Sequence, residues 1–406
     1  MNSIRLTRAD ILRVLESIVQ AGLKEWTTPP DPLPPDLPLD RLPSPPDRRQ
    51  LAALAAAALT FFAADSPATV DELVADPVPD HWATRLYQHW QTDDSTIVFS
   101  TSGSTGIPKQ VRMLYRYLVE DAIILGDLFP DLRRVVAMVP PHHIYGFIFT
   151  VLIPNHAGLA CTDQRGKPPR QIFRELCSGD LLVSTPLFWK MFAEINDRFP
   201  AAVSGVSSTA PCPRETIQRL YTMNIQTLYE VYGSSESSCI GFRNDPTAAL
   251  RLSPAWTRRP DETFVRTLAD GSFSPPFVFQ DQLQWRDEHH FDVVRRLDHA
   301  VQVGGINVFP TRVAEVLRTH PAVADCAVRL MRPEEGDRLK AFVVPRAGMP
   351  VPEGLEEVLL SYLEARLSAL ELPRRITFGA SLPRNAIGKA ADWSEPRPPS
   401  APEASA

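Results

Sequence analysis

Apolar residues recur at helical spacing at the start of the chain, where Ile11, Leu12, Leu15, Ile18, Val19 and Leu23 predict an amphipathic helix over residues 8–24. Thr7 and Asp10 stand three apart at its entry, the spacing of a capping box. Proline then becomes so dense across residues 28–46 that neither a helix nor a central strand can form there. That leaves an extended linker or a loop laid across the surface. The Ala-rich apolar run Leu51–Ala64 reads as a buried helix, too short to span a bilayer. After it, STIVFS (95–100) has the β-branched character of a buried strand.

From there to about residue 295 short apolar runs alternate with helical stretches. RRVVAMVP (133–140), DLLVSTP (180–186) and IQTLYEVYG (225–233) read as strands. LYRYLVEDAIILGDLF, PRQIFRELC and PRETIQRLY read as helices. Such alternation predicts a large layered α/β domain. Near residues 296–300 the texture changes. VQVGGINV, a helix in PTRVAEVLRTH, strands in DCAVRLM and LKAFVVP, a helix in LEEVLLSYLEARLSAL and a strand in RRITF predict a small α+β domain. The expected division is 1–297, with a Pro-rich loop at 28–46, then 298–393 joined by a hinge, then a disordered tail at 394–406 rich in Pro, Ser and Ala.

A length of 406 residues suits two or three domains. With 44% hydrophobic and 22% charged residues, the chain can bury a core. A net charge of -6 argues against electrostatically driven binding of nucleic acid and offers no handle to an anionic membrane. Five cysteines form no C-x-x-C pair, so neither a zinc ribbon nor a disulfide framework is readable. The first 26 residues lack the apolar core of a signal peptide, so a cytoplasmic, reducing setting is expected.

Candidate chemistry concentrates in STSGSTGIPK, Ser100 to Lys109, directly after a strand. Gly103 and Gly106 permit close backbone approach, and the hydroxyls of Ser102, Ser104 and Thr105 with exposed N–H groups can hold phosphate oxygens. Lys109 adds a cation. A Walker-type loop needs Gly before the Lys and Ser or Thr after it, whereas Pro108 and Gln110 flank it here. No G-x-S-x-G elbow occurs, so a serine hydrolase has little support. The pairs His142-His143 and His289-His290 lack further ligands at metal spacing, and no zinc site is assigned.

The segment 101–109 matches T-S-G-S-T-G-x-P-K throughout, and so resembles the phosphate loop of the AMP-forming adenylate-forming superfamily of acyl-CoA synthetases, aryl-acid ligases and peptide-synthetase adenylation domains. Further segments resemble that family in order. PPHHIYGF (140–147) is similar to its aromatic/His segment, SSTAPCP (207–213) to its adenine loop, and YGSSE (232–236) to Y-G-x-T/S-E. RRLDHAVQVGGINVFPTRVAEVL (295–317) is similar to its hinge and glycine turn, and LPRNAIGK (382–389) to P-R-x-x-x-G-K. The likeness covers residues 95–391.

The resemblance implies roles. Thr101, Ser102, Gly103, Ser104, Thr105, Gly106 and Lys109 would hold phosphate. Ser208, Thr209, Ala210 and Pro211 would lie against adenine, with Tyr232 stacked on it. Gly233, Ser234 and Ser235 continue that nucleotide-binding motif, Ser235 standing for the commoner Thr at the α-phosphate. Glu236 would be both catalytic and the magnesium-organising carboxylate, since Mg²⁺ favours one or two carboxylates plus phosphate oxygens. Asp281 would hold the ribose, although Phe279-Gln280 replace the usual Thr-Gly before it. Arg296 would reach the ribose or phosphate; Arg295 sits beside it where the family has Gly. His143 and Tyr145 would border the acyl pocket, Gly304 and Gly305 would line a pantetheine tunnel, Asp298 would be the hinge, and Lys389 would catalyse adenylation.

The implied activity is a two-step ATP-dependent acid–thiol ligase. It forms an acyl-AMP from a small aromatic acid, hydroxybenzoate- or cinnamate-like, and passes the acyl group to coenzyme A or to the phosphopantetheine of an acyl carrier protein. The alternatives are a catalytically inactive AMP-binding scaffold and an acyl-AMP ligase for fatty acids. The phosphate loop begins at 101, earlier than in full-length relatives, so part of the family's N-terminal region is expected to be shortened.

Overall fold

The computed structural model describes residues 4–63, 69–90, 95–101, 109–195, 197–200, 202–268, 271–296, 300–332, 335–346, 354–383 and 392–393. The chain forms two compact units, one running through Val294 and another from Arg295 onward. The fold is the expected one in class: a large α/β unit and a small α+β unit.

The larger unit opens with the helix Arg8–Lys24, closed at its start by the Thr7–Asp10 capping box. The next helix runs Arg48–Phe61, three residues earlier at both ends than the apolar run suggested, because Asp47 and Gln50 form its capping box. Between them the Pro-rich segment is a surface loop, not a free linker. Leu33, Leu39 and Leu42 point inward and are 4%, 0% and 5% exposed. Burying each contributes about 1.5–3 kcal/mol, enough to hold a segment that makes little secondary structure.

STIVFS forms β1 (Thr96–Thr101), but it pairs antiparallel with β2 (Lys109–Leu114) in a sheet of two strands, outside the main sheet. The main sheet takes β3 (Arg134–Ala137), β4 (Ala160–Asp163), β5 (Asp180–Ser184), β6 (Ser204–Ser207) and β7 (Thr227–Ser234), all parallel, in the order β4-β3-β5-β6-β7. Alternate residues face opposite ways, as the pleat requires. Val135, Leu181, Val183 and Val206 join one core with the N-terminal helices; Val136, Leu182 and Leu228 join a second with Trp189, Ile217 and Leu220. The parallel sheet is therefore covered on both faces.

Antiparallel strands extend it: β8 (Ser238–Arg243) and β9 (Leu250–Leu252), and, past the separate hairpin of β10 (Trp256–Arg258) and β11 (Phe264–Arg266), β12 (Asp281–Trp285) and β13 (His290–Arg296). In the smaller unit, β14 (Val301–Val303) and β15 (Ile306–Val308) form a hairpin. A second sheet, β16 (Val323–Leu330), β17 (Leu339–Pro345) and β18 (Pro373–Phe378), packs against the helices Pro310–Arg318 and Leu355–Glu364. The second helix stops six residues short of the expected end at Leu370. Lys340 of β17 is fully buried, held by Glu335 at 2.6 Å and the Trp393 carbonyl at 2.6 Å. No helix among the described residues is long and apolar enough to cross a membrane.

Candidate functional site

Ligands of open α/β sheets sit beyond the carboxyl ends of the strands. Those ends carry most of the residues singled out from sequence: His143 follows β3, Ser208–Pro211 follow β6, and Ser235 and Glu236 follow β7.

Thr101 and Lys109 are register partners at the tips of β1 and β2, so the connection 102–108 starts and ends at one place. Ser102, Gly103, Ser104, Thr105 and Gly106 themselves lie outside the described residues. Lys109 extends its Nζ to 2.9 Å from Glu236 Oε1.

Glu236 sits in the tight turn from β7 to β8. Two serines brace that turn. The Ser234 N–H donates to Ser237 Oγ and the Ser237 N–H to Ser234 Oγ, both at 3.2 Å. Gly233 is required beside them, because a Cβ there would lie 2.0 Å from the Ser238 carbonyl oxygen. Ser235 stands half-buried next to Glu236 on the same turn.

Tyr232, on β7, donates its hydroxyl to Asp281 Oδ2 on β12. Its ring meets Phe291 edge-on at 5.9 Å. The loop after β6 is tied to the same strand: Ser208 Oγ donates to the Val231 carbonyl at 2.8 Å, and the Cys212 N–H to Glu230 Oε1 at 2.9 Å. Glu230 is in turn paired with Arg243 at 2.7 Å. Thr209, which precedes Ala210 and Pro211 in that loop, has a φ of 79°. The structure thus gathers Lys109, Ser208–Pro211, Tyr232–Glu236 and Asp281 around the end of β7.

His143 is elsewhere on that edge. It lies at a cavity of about 280 Å³ beyond β3 and β4, lined also by Ser17, Lys24, Asp31, His142 and Arg165. Asp31 belongs to the Pro-rich loop, which therefore supplies part of a cavity wall. His142 shares a 2.8 Å hydrogen bond with Ser17 Oγ. Burial, then the charges of His143 and Arg165, push the His142 pKa well below its ordinary value, so the ring is neutral at pH 7. His143 is open to solvent at the cavity mouth, yet the surrounding protein and then Arg165 lower its pKa too.

Tyr145, expected to border the acyl pocket, is buried and is not among the residues lining the cavity beside His143. Its hydroxyl donates to the Ser184 and Val206 carbonyls, each at 2.9 Å, and its ring is packed in the core. Burial raises its pKa well above the ordinary phenol value. Phe147 is fully buried as well, against Phe61 and Phe99. Tyr145 and Phe147 of PPHHIYGF thus belong to the core, while Ser17, Lys24, Asp31, His142 and Arg165 line the cavity beside His143.

Gly304 and Gly305 lie in the smaller unit, turning the β14–β15 hairpin with φ of 58° and 81°. Arg295 and Arg296 end β13, their side chains outside the description. Asp298 and Lys389 also fall outside the described residues. Glu230, Arg243, Asp121, Arg266 and Trp256 brace the β7–β8 turn or its neighbours; charged residues or a tryptophan inside strands and helices give no signal of such a role in the sequence.

A doubly covered parallel sheet with a cation, a carboxylate and a Tyr–Asp pair at its carboxyl edge, followed by a small α+β unit, defines a two-unit α/β enzyme. Residues 43–261 match the model of the AMP-binding enzyme family, and residues 312–389 that of the AMP-binding enzyme C-terminal domain. A 4-coumarate–CoA ligase of Halorhodospira halophila is 35% identical over 95% of this chain and 99% of its own length. One of Rhodobacter capsulatus is 37% identical over 82% of this chain and 86% of its own. Among solved structures, the amide bond synthetase of Marinactinospora thermotolerans superposes with a TM-score of 0.60 at 17% identity, covering 93% of this chain and 92% of that one. The o-succinylbenzoate CoA synthetase of Bacillus subtilis does so with a TM-score of 0.60 at 18% identity, covering 80% and 76%. The chain belongs to the AMP-binding enzyme family, and it is an AMP-forming acid–thiol ligase.

Proposed function

We propose that the protein activates a hydroxycinnamate-like acid with ATP and transfers the acyl group to coenzyme A. The observation that carries this is the match over 95% of the chain to a 4-coumarate–CoA ligase, at 35% identity. A carboxylate oxygen of the acid attacks the α-phosphorus of ATP, and pyrophosphate leaves. The thiol sulfur then attacks the acyl carbon, its proton is lost, and AMP leaves.

The first step brings together anions that repel one another, so it needs positive charge and donors fixed in advance. Lys109, at the start of β2, and the hydroxyls of Ser102, Ser104 and Thr105 would supply them. Tyr232 would stack on adenine, Asp281 and Arg296 would take the ribose, and the loop Ser208–Pro211 would flank the base. Ser235 would donate to the α-phosphate. Among the described residues no group of three or more His, Cys, Asp or Glu side chains could cage a metal. A single hard carboxylate, Glu236, beside a phosphate-holding lysine fits magnesium, which takes one or two carboxylates and completes its shell with phosphate oxygens and water. When bound there, magnesium supplies charge that offsets the triphosphate.

Lys389 would contribute a cation to the first half-reaction, Asp298 would be the hinge, and the Gly304–Gly305 turn would admit the pantetheine arm. His143 would face the acid or the arriving thiol. A carrier-protein phosphopantetheine in place of coenzyme A is the finer alternative. A cytoplasmic setting fits its five free cysteines. A pyrophosphate-release screen over hydroxycinnamates, hydroxybenzoates and fatty acids tests the substrate class: the strongest signal should come from hydroxycinnamates, and a preference for long-chain fatty acids would reject it.

A further inference from the structure

The turn that carries Glu236 is held from below by a buried ionic cluster. Asp121, on the helix Tyr115–Gly126, is 0% exposed, and Arg266, at the end of β11, is 2% exposed. Their side chains are paired through Asp121 Oδ1 at 2.5 Å and Oδ2 at 3.2 Å. Arg266 also donates to the Tyr117 carbonyl at 3.2 Å and lies over the Trp256 ring at 5.2 Å.

What this cluster grips is one peptide segment of β8. The Cys239 N–H points to Asp121 Oδ2 at 3.4 Å, and the Cys239 carbonyl accepts from Trp256 Nε1 at 2.8 Å. At that place the β7–β8 ladder is irregular. Tyr232 pairs with Gly241, but Gly233 pairs with Cys239, so Ile240 is an extra residue on β8. A bulge of this kind re-aims the residues next to it, and bulges recur beside active sites. Tyr232 stands at the register shift, and Glu236 lies three residues beyond Gly233 in the same hairpin.

Stability gives little reason for the ion pair. Replacing a fully buried pair with apolar residues of similar volume is often neutral or stabilising, whereas removing one partner is not. The geometry, by contrast, gives a specific reason: the two polar ends of Cys239 are each engaged by one side chain from outside the β7–β8 hairpin.

We propose that Asp121, Arg266 and Trp256 form a positioning assembly that fixes the bulge in β8 and thereby sets Tyr232 and Glu236 for nucleotide binding. The proposal rests on the reading that these two residues meet the nucleotide. None of the three needs to touch the ligand; Asp121 and Trp256 act through the Cys239 backbone, and Arg266 acts through them.

The test uses the full-length enzyme. D121L/R266M removes the grip and the buried pair's two charges together, leaving only the Glu120 carboxylate, 3.8 Å from Arg266 and 22% exposed to water, and W256F removes one hydrogen bond while keeping an aromatic ring. Both are melted to verify folding, then assayed for ATP KM, acid KM and kcat, with AMP affinity measured by calorimetry without metal. The assembly predicts a melting temperature in D121L/R266M at or above that of the parent, with ATP KM and AMP Kd raised about tenfold and acid KM unchanged. W256F should raise ATP KM and AMP Kd about fivefold, the value of one hydrogen bond. A merely structural role would lower kcat through loss of folded enzyme and leave both nucleotide constants alone, and that outcome in W256F overturns the proposal even if the double variant fails to fold. E236Q and Y232A are run beside them. Loss of adenylation in E236Q and weaker AMP binding in Y232A, with parental constants in the two cluster variants, would sink this inference alone; unaffected E236Q and Y232A would sink the reading beneath it.

Discussion

Lys109 and Glu236, 127 positions apart in the chain, meet with Nζ 2.9 Å from Oε1. Each holds the other at the edge where β2 begins and β7 turns into β8. The pair is partly open to solvent, so its worth to stability is small. In the proposed reading, its value would lie in keeping one cation and one carboxylate together for an arriving triphosphate.

Glu236→Gln keeps the size and removes the charge. Pyrophosphate release should fall at least tenfold at limiting magnesium, with the melting temperature within about a degree of the parent. Full activity at every magnesium concentration would show that Glu236 is a bystander.

Tyr232→Phe removes only the hydroxyl that donates to Asp281. A hydrogen bond to a charged acceptor contributes about 1.5–3 kcal/mol, so a rise in ATP KM of roughly tenfold or more is expected. Asp281→Asn should do likewise through the ribose. If neither change moves ATP KM while both proteins fold, the Tyr–Asp pair is a structural contact only.

Lys389→Ala should separate the two half-reactions. Acyl-AMP formation should drop by about 10²–10³, by analogy with the loss of an oxyanion donor. Thioester formation from supplied acyl-AMP should persist. Equal loss in both assays would point to misfolding or a shared role, and no loss in either would reject the assignment.

Glu16, in the helix Arg8–Lys24, has its pKa raised from 4.5 to about 7. Burial is the main cause, reinforced by Asp163 and Asp80 and opposed by Arg13 and Arg165. The native state therefore holds a proton that the unfolded chain has lost, and this group withdraws stability as pH rises from about 4.5 to 7. Glu16→Gln escapes that penalty. Its stability relative to the parent should be higher at pH 8 than at pH 4.5, by on the order of 2 kcal/mol in denaturant melts. A difference that does not change with pH would contradict the assignment.

Much of this was legible in the chain because local chemistry and global structure agree there. The strand runs VVA, DLLVS and LYEVYG are apolar because both faces of a parallel strand are covered, and Thr7–Asp10 declared the first helix before any packing was known. The strands β9, β10 and β11 were not legible. Each has three residues, too few to show a period of two. Arg266 and Lys340 were invisible for another reason: charged side chains read as exposed, and only the fold supplies the Asp121 or Glu335 that lets them be buried. The tie of Tyr145 to two backbone carbonyls was equally hidden, since sequence gives no sign of which carbonyls the fold brings to a phenol. The Pro-rich loop hid its anchors because its leucines follow no helical or strand spacing, only the distance to the core.

The proposed activity couples ATP cleavage at the α-phosphorus to thioester formation on a hydroxycinnamate in one protein. The most direct measurement incubates it with ATP, magnesium, 4-coumarate and coenzyme A and quantifies every product. AMP, pyrophosphate and the coumaroyl thioester should form in equal amounts, with pyrophosphate exchange persisting when coenzyme A is left out. ADP and phosphate as products, or AMP formation with fatty acids and none with 4-coumarate, would contradict it.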